Sequence, residues 1–271
     1  AAARNADLAI VVGYQWEAED SDLKSLALPD NQEALIEGVA AANPHTLVVL
    51  ESGTAVTMPW LDKVQGVLET WYAGSAGHKA LAGVLCGDVN PAGKLPISFP
   101  KSELDLPRSV IAPAPRRNQP GAAAAAYSVN YNEGAAVGYR WYEREHKQPL
   151  FAFGFGLSYT TFAYSDLQLD AATRTARFAV KNTGNRAGTE IAEVYAKPPE
   201  GSDEPFRRLV GWARVQLAAG ETRTLAVTVD TRVLQTFDDM HNRWDLKSGR
   251  YEILVGPASD NTPLHGPLRL H

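Results

Sequence analysis

Residues 8–12 read LAIVV and residues 46–50 read TLVVL, and residues 31–41 between them (NQEALIEGVAA) set Leu35, Ile36, Val39 and Ala40 at helical spacing. This strand–helix–strand order constrains the fold more than any other feature. Unbroken apolar runs of this kind mark parallel strands covered on both faces, and parallel neighbours need a long crossover, here the helix. Residues 8–12 are therefore expected to form a buried central strand with residues 46–50 beside it. Residues 60–68 carry a mixed pattern read as helix, residues 67–72 could form a strand, and residues 78–86 return to helical spacing. The turn residues of GDVNPAG at 87–93 close this series. Strands alternating with helices imply an α/β layer on a parallel sheet.

From about residue 162 the pattern changes. Alternating segments stand at residues 175–180, 190–196, 225–229 and 251–255, separated by turn clusters such as NTGN at 182–185 and AAG at 218–220. Short strands with regular turn signals predict an antiparallel β-sandwich of immunoglobulin or fibronectin type. The expected fold is thus a partial, parallel-sheet-containing α/β sandwich followed by an all-β immunoglobulin/fibronectin III-like sandwich. We divide the 271 residues into an α/β part at 1–117, a Pro-, Ala- and Arg-rich connector at 118–161 that packs on it, and the β-sandwich at 162–271.

Charge and composition exclude several classes. A net charge of −5 gives no electrostatic case for nucleic acid or an anionic membrane, and no apolar run approaches the roughly 18 residues of a spanning helix. The single cysteine, Cys86, excludes an internal disulfide framework and a multi-cysteine metal site. The opening AAARNADLAIVVG lacks the basic and long apolar segments of a signal peptide and reads as the middle of something, a polar stub feeding a strand.

The chemistry-bearing feature follows the first apolar run. Glu17, Glu19, Asp20 and Asp22 fall within six positions beside Trp16, with only Lys24 near to balance them. In open α/β sheets ligands bind outside the carboxyl ends of the strands, where this cluster sits. A carboxyl group crowded by carboxylates and set against an apolar ring holds its proton to higher pH, as a general acid requires. An aromatic face beside it is a common platform for a sugar ring or another flat apolar group. By composition alone a solvated acidic turn is the more ordinary reading, since charge runs are usually surface. A metal site is weaker, because the oxygen ligands lack calcium-loop spacing. A nucleotide-binding reading is weaker still, because no Gly-rich phosphate loop follows the first strand.

Four stretches in order extend this reading. They are Asp22, Leu26, Leu28, Pro29, Gln32, Leu35 and Ile36; GDVNPAGKLP at 87–96 with SFP at 98–100; YNEG at 131–134 with VGYRWY at 137–142 and PLF at 149–151; and FGFGLSYT at 153–160. Through nearly its whole length the chain resembles the C-terminal part of glycoside hydrolase family 3, the β-glucosidase and β-xylosidase family. The resemblance implies a retaining glycosidase whose Asp nucleophile lies on an N-terminal (β/α)8 barrel, and whose acid/base is a Glu on the loop after a strand of the second domain. In relatives that loop reads Glu-Gly-aromatic-Asp-Arg, which laid on this chain places the acid/base on Glu19, with Glu17 as the fallback, and the Asp on Asp22. Here Asp20 replaces the Gly, Ser21 the aromatic and Leu23 the Arg. Trp16, Asp20 and Asp22 are the substrate-binding candidates. The resemblance implies no cofactor and no metal, a β-glucoside or oligosaccharide substrate, a periplasmic or secreted location, and the barrel as partner, expected ahead of Ala1 together with the early strands of the α/β domain. Rival readings are a β-xylosidase, or a non-catalytic carbohydrate-associated scaffold in which the acidic loop is decoration.

Other residues read more plainly. Glu133 could line a cleft or anchor the connector, Arg140, Trp141 and Tyr142 read as packing, and Cys86 as a small buried residue. Trp212 and Trp244 are expected in the sandwich core.

Overall fold

The computed structural model describes residues 2–19, 23–108 and 130–271. The Ala-rich stretch at 122–126 lies outside them. The chain divides into two compact units: Ala1–Cys86 with Phe99–Asn132, and Gly87–Ser98 with Glu133–His271.

In the first unit β1 (Ala9–Tyr14), β2 (Thr46–Glu51) and β3 (Gly66–Glu69) form a parallel sheet in that order, with Val11 opposite Val48. Helix α1 (Gln32–Ala42) is the crossover from β1 to β2 and buries Ile36 and Ala40, one turn apart on one face. Its first residue also holds the end of β1. The Gln32 side chain accepts from Tyr14 N at 2.8 Å and donates to Tyr14 O at 3.0 Å, satisfying both backbone groups of an edge residue. A second helix, α2 (Gly77–Leu85), follows β3.

The structure corrects three expectations here. β1 is an edge strand, and β2 is central. Ala9, Val11 and Gly13 are buried, but Ile10, Val12 and Tyr14 on the other face are exposed, as is Leu8 before them. An apolar run specifies a strand without specifying what covers each face. Residues 60–68 are not a helix: Trp60 is buried beside a single 3-10 turn, Leu61–Lys63, and Gly66 already opens β3. Cys86 caps the C-terminus of α2 and is exposed.

The second unit carries a short helix, α3 (Tyr139–Arg144), ahead of an antiparallel sandwich. One sheet holds β4 (Phe162–Asp170), β5 (Thr175–Asn182) and β8 (Thr222–Thr228). The other runs β12 (Leu264–Leu270), β11 (Gly249–Gly256), β6 (Gly188–Lys197), β7 (Arg208–Leu217). Phe178, Val194, Leu217, Ile253 and Leu268 fill the space between them. A small hairpin, β9 (Thr236–Asp238) with β10 (Arg243–Asp245), stands apart.

Trp212 and Trp244 are not core residues; they are 66% and 62% exposed. The cause at Trp212 is a bulge. Val194 pairs with Gly211 and Tyr195 with Leu209, so Val210 is skipped and the in–out phase of β7 shifts by one residue. Val210 points inward, but so do Val215 and Leu217, which puts Trp212 outside. Trp244 meets Phe237 edge-to-face across the hairpin, with centroids 5.3 Å apart. Truncating either tryptophan to Ala therefore leaves the sandwich core intact.

Two of the sequence stretches singled out above meet inside this unit. Leu95 N donates to Phe155 O and Gly154 N to Leu95 O, both at 2.8 Å, joining the 87–96 and 153–160 segments as a short ladder. Asn90 Oδ1 accepts from Tyr159 N at 2.7 Å and Ser158 Oγ at 2.9 Å. Asn90 Nδ2 donates to Ala187 O at 2.9 Å, tying both to the sandwich. A Cβ on Gly156 would lie 2.1 Å from Gly93 O, so the two glycine-rich backbones pass too closely for a side chain. These residues build the fold rather than a site.

The same segment brings Lys94 to Glu190 at 3.3 Å, beside buried Glu193, whose carboxyl accepts the Tyr195 hydroxyl. Burial pushes the Glu193 carboxyl up to about 7, against the opposing pull of Tyr195 and Lys94. Below its ordinary value of 4.5 both folded and unfolded chains hold the proton, so Glu193 costs nothing. As pH rises from there to about 7 only the unfolded chain releases it, and stability falls across that window. Glu193→Gln should flatten this fall, checked by denaturation midpoints at pH 5 and pH 8.

Candidate functional site

All three parallel strands end on one side of the first unit's sheet, and the loops after them converge there. The loop after β1 is pinned at both feet. At its start Gln15 is buried; its N donates to Glu51 O at 3.0 Å and its Nε2 to Ala27 O at 3.0 Å. At its return Glu103 Oε1 accepts from Ser25 Oγ at 2.7 Å and Leu26 N at 2.5 Å, and Leu26 O accepts from Thr57 N at 3.0 Å.

Glu17 sits nearest the sheet and is half-buried. Its Oε1 accepts from Gly53 N at 3.2 Å and its own N donates to Tyr72 Oη at 3.0 Å. Tyr72 Oη in turn donates to Gln15 O at 2.6 Å, so one hydroxyl holds the loop's backbone at two points, residues 15 and 17. A Cβ at Gly53 would lie 2.7 Å from Glu17 Oε2 and 3.0 Å from the Tyr72 ring, so this seat exists only because residue 53 has no side chain. Trp16 is 80% exposed and Glu19 stands exposed in the turn beyond it. Asp20 and Asp22 lie outside the described residues. The structure thus brings Trp16, Glu17 and Glu19 to the carboxyl ends of the strands, with Glu17 anchored and Glu19 presented.

One acid at this site escapes the sequence reading. Glu69 ends β3; its Oε1 accepts from Trp71 N at 2.8 Å and its Oε2 lies 3.3 Å from Ser52 Oγ, the buried residue that follows β2. Burial pushes its carboxyl up to about 7 even though these donors pull it down. Trp71 takes φ = +52°, a strained backbone for a bulky residue, with its ring edge-on to buried Phe99 at 6.1 Å. Glu69 follows the apolar Val67-Leu68 as Glu17 follows the apolar β1, so an acid at the carboxyl end of a strand was the available signal. Among the described residues no three His, Cys, Asp or Glu side chains gather as a metal-holding group, and no helix is long and apolar enough to cross a membrane.

A carboxylate presented beside an exposed indole, on a loop fixed at both feet, can donate a proton to a leaving oxygen and take one from water. The family model for the glycosyl hydrolase family 3 C-terminal domain matches residues 1–159, and that for a fibronectin type III-like domain matches residues 190–259. Beta-glucosidase B of Emericella nidulans is 42% identical over 275 residues, covering 94% of this chain and 32% of that protein. A beta-glucosidase of Rhizobium radiobacter is 39% identical, covering 95% of this chain and 32% of that protein. The crystal structure of DesR, a beta-glucosidase from Streptomyces venezuelae in complex with D-glucose, superposes with a TM-score of 0.87 at 38% identity, over 99% of this chain and 34% of that one. The chain spans about a third of the length of the curated relatives it matches.

Proposed function

The chain belongs to glycosyl hydrolase family 3, whose C-terminal domain it carries, and on that premise we propose that it supplies the general acid/base of a retaining β-glycosidase. The observation that carries the reading is the acidic loop, pinned at Gln15, Glu17, Ser25 and Leu26 and presenting Glu19 at the carboxyl ends of three parallel strands. Glu19 protonates the departing glycosidic oxygen while an Asp on an N-terminal (β/α)8 barrel attacks the anomeric carbon. Glu19 then removes a proton from the water that releases the sugar. Trp16 offers its ring to the sugar, and Asp20 and Asp22 complete the rim. The substrate is a terminal, non-reducing β-D-glucosyl residue, as the names of the relatives support. The bare apolar row of Ile10 and Val12 on β1, with Leu8 just before it, supports a covering partner, the remaining two thirds of the same enzyme. We keep the divisions at residues 117 and 161, the second supported by the start of β4 at Phe162, and place the enzyme in the periplasm or outside the cell.

Retaining hydrolysis needs both carboxyl groups, roughly 5 Å apart. The full-length polypeptide should therefore hydrolyse an aryl β-glucoside faster than the matching β-xyloside, and the purified 271-residue chain should hydrolyse neither. Turnover by the chain alone overturns the division of labour. Absence of turnover by the full-length protein on either glycoside overturns the enzymatic reading in favour of a scaffold.

A further inference from the structure

We propose that Glu69 is a positioning residue for the acidic loop: its carboxyl clasps the ends of β2 and β3, and those two ends carry the groups that hold Glu17. The contacts run in sequence. Glu69 bonds Trp71 N and touches Ser52 Oγ. The next residue after Ser52 is Gly53, whose N–H donates to Glu17 Oε1. The next after Trp71 is Tyr72, whose hydroxyl accepts from Glu17 N and donates to Gln15 O. Thr70 adds a second tie between the same strand ends, donating through N at 2.9 Å and Oγ1 at 2.7 Å to Leu50 O. One side chain therefore fixes, at one remove, both points that hold Glu17. The inference rests on the reading of Glu19 as acid/base, since Glu19 stands two residues beyond Glu17.

Proton accounting makes the clasp sensitive to charge. Ser52 Oγ lies 2.8 Å from Thr54 O and 3.3 Å from Glu69 Oε2, and a hydroxyl has one proton to give. The Thr54 carbonyl can only accept. In a neutral Glu69 the O–H can donate to Ser52 Oγ, which leaves the Ser52 proton for Thr54 O while Oε1 keeps Trp71 N–H. An ionised Glu69 keeps its backbone donors at Trp71, Ser52 and Thr70 but competes with Thr54 O for the single Ser52 Oγ proton, which weakens the turn that presents Gly53. Burial, which pushes this carboxyl up to about 7, favours the neutral form below neutrality. The other ionisable groups on the adjoining strand ends are Glu17, on Gly53 N; Tyr72, on Gln15 O; and Glu51, which is exposed.

The test compares Glu69→Ala and Glu69→Gln in the full-length enzyme. Hydrogen–deuterium exchange at fixed pH should show protection of residues 14–19 lost in the Ala variant and kept in the Gln variant, with β11 unchanged in both. On an alkyl β-glucoside the Ala variant should lose roughly tenfold or more in kcat, with KM moved much less. Its loss on an activated aryl glucoside should be smaller, because the displaced group is the acid. The Gln variant should recover most of the rate and shift the alkaline limb of the pH profile upward, since it has no proton to lose near 7. Equal protection, equal leaving-group dependence and an unmoved pH profile in both variants overturn the clasp while wild-type turnover stands. If the wild type hydrolyses no glucoside, the catalytic reading falls, and the exchange result alone decides whether Glu69 seats the loop.

Discussion

Replacing Glu19 by Ala in the full-length enzyme should slow hydrolysis of alkyl and sugar β-glucosides by about a hundredfold or more, the usual scale of general acid catalysis. An aryl glucoside with an acidic phenol needs little help to leave, so formation of the glycosyl-enzyme should be nearly spared. Its breakdown still needs a base, so the intermediate should accumulate. Added azide, a small anion that requires no deprotonation, should speed its release. Glu17→Ala should show neither signature. Its carboxylate holds Gly53 N–H, so its loss loosens the loop and costs roughly the tenfold expected of Glu69→Ala, well short of a hundredfold, with no azide acceleration. Steady-state kinetics on two glucosides differing only in leaving group, with and without azide, separates the cases. Both signatures in Glu17→Ala and neither in Glu19→Ala would move the assignment to Glu17. Silence from both variants would return the cluster to a solvated turn.

Val11→Asp should destabilise the first unit by about 3–5 kcal/mol, a large share of the roughly 5–15 kcal/mol that keeps a domain folded. Val11 is 7% exposed and paired with Val48, which is fully buried, so the new carboxylate loses water and gains no partner. Val12→Asp is the internal control. One residue on, it points to the opposite face of β1, is 52% exposed in this chain, and should leave the midpoint nearly unchanged. Denaturant titration of the two variants of the chain reads the difference. Equal midpoints would contradict the strand's in–out assignment.

Much of the fold was legible because the first half alternates apolar runs with helical spacing and the second keeps to strand alternation. The runs at 8–12 and 46–50 became β1 and β2, and the helical spacings became α1 and α2, to within a residue or two. The failures have local causes. An apolar run cannot report whether a strand is central, so β1 was misplaced. β4 was missed because its pairing shifts between Ser165 and Gln168, where Asp166 takes φ = +58°, and the alternation breaks. Trp212 was assigned inward because the skipped Val210 reverses the phase of β7, and no residue type announces such a bulge. At the site, Trp16, Glu17 and Glu19 were legible as a charge cluster after a strand. Glu69 was not, because its environment is made by Ser52 and Trp71, seventeen residues before and two after, which only the sheet brings together.

The path of the chain between the two units has a consequence for its synthesis. Residues 87–98 leave the first unit, join the second, and the chain then returns at Phe99 before leaving again at Glu133. Asn90 waits for Ala187, 97 residues later, and Lys94 for Glu190, 96 residues later. On the ribosome the first unit can close as soon as Glu103 emerges to take Ser25 and Leu26. The GDVNPAGKLP stretch must remain without its ladder until the FGFGLSY stretch has been made, and without its ties to Ala187 and Glu190 until β6 follows. Such distant closure slows folding and prolongs exposure of unpaired backbone. Nascent chains stalled before β6 should accordingly be cut by protease within residues 87–98 while β1 and β2 are already protected.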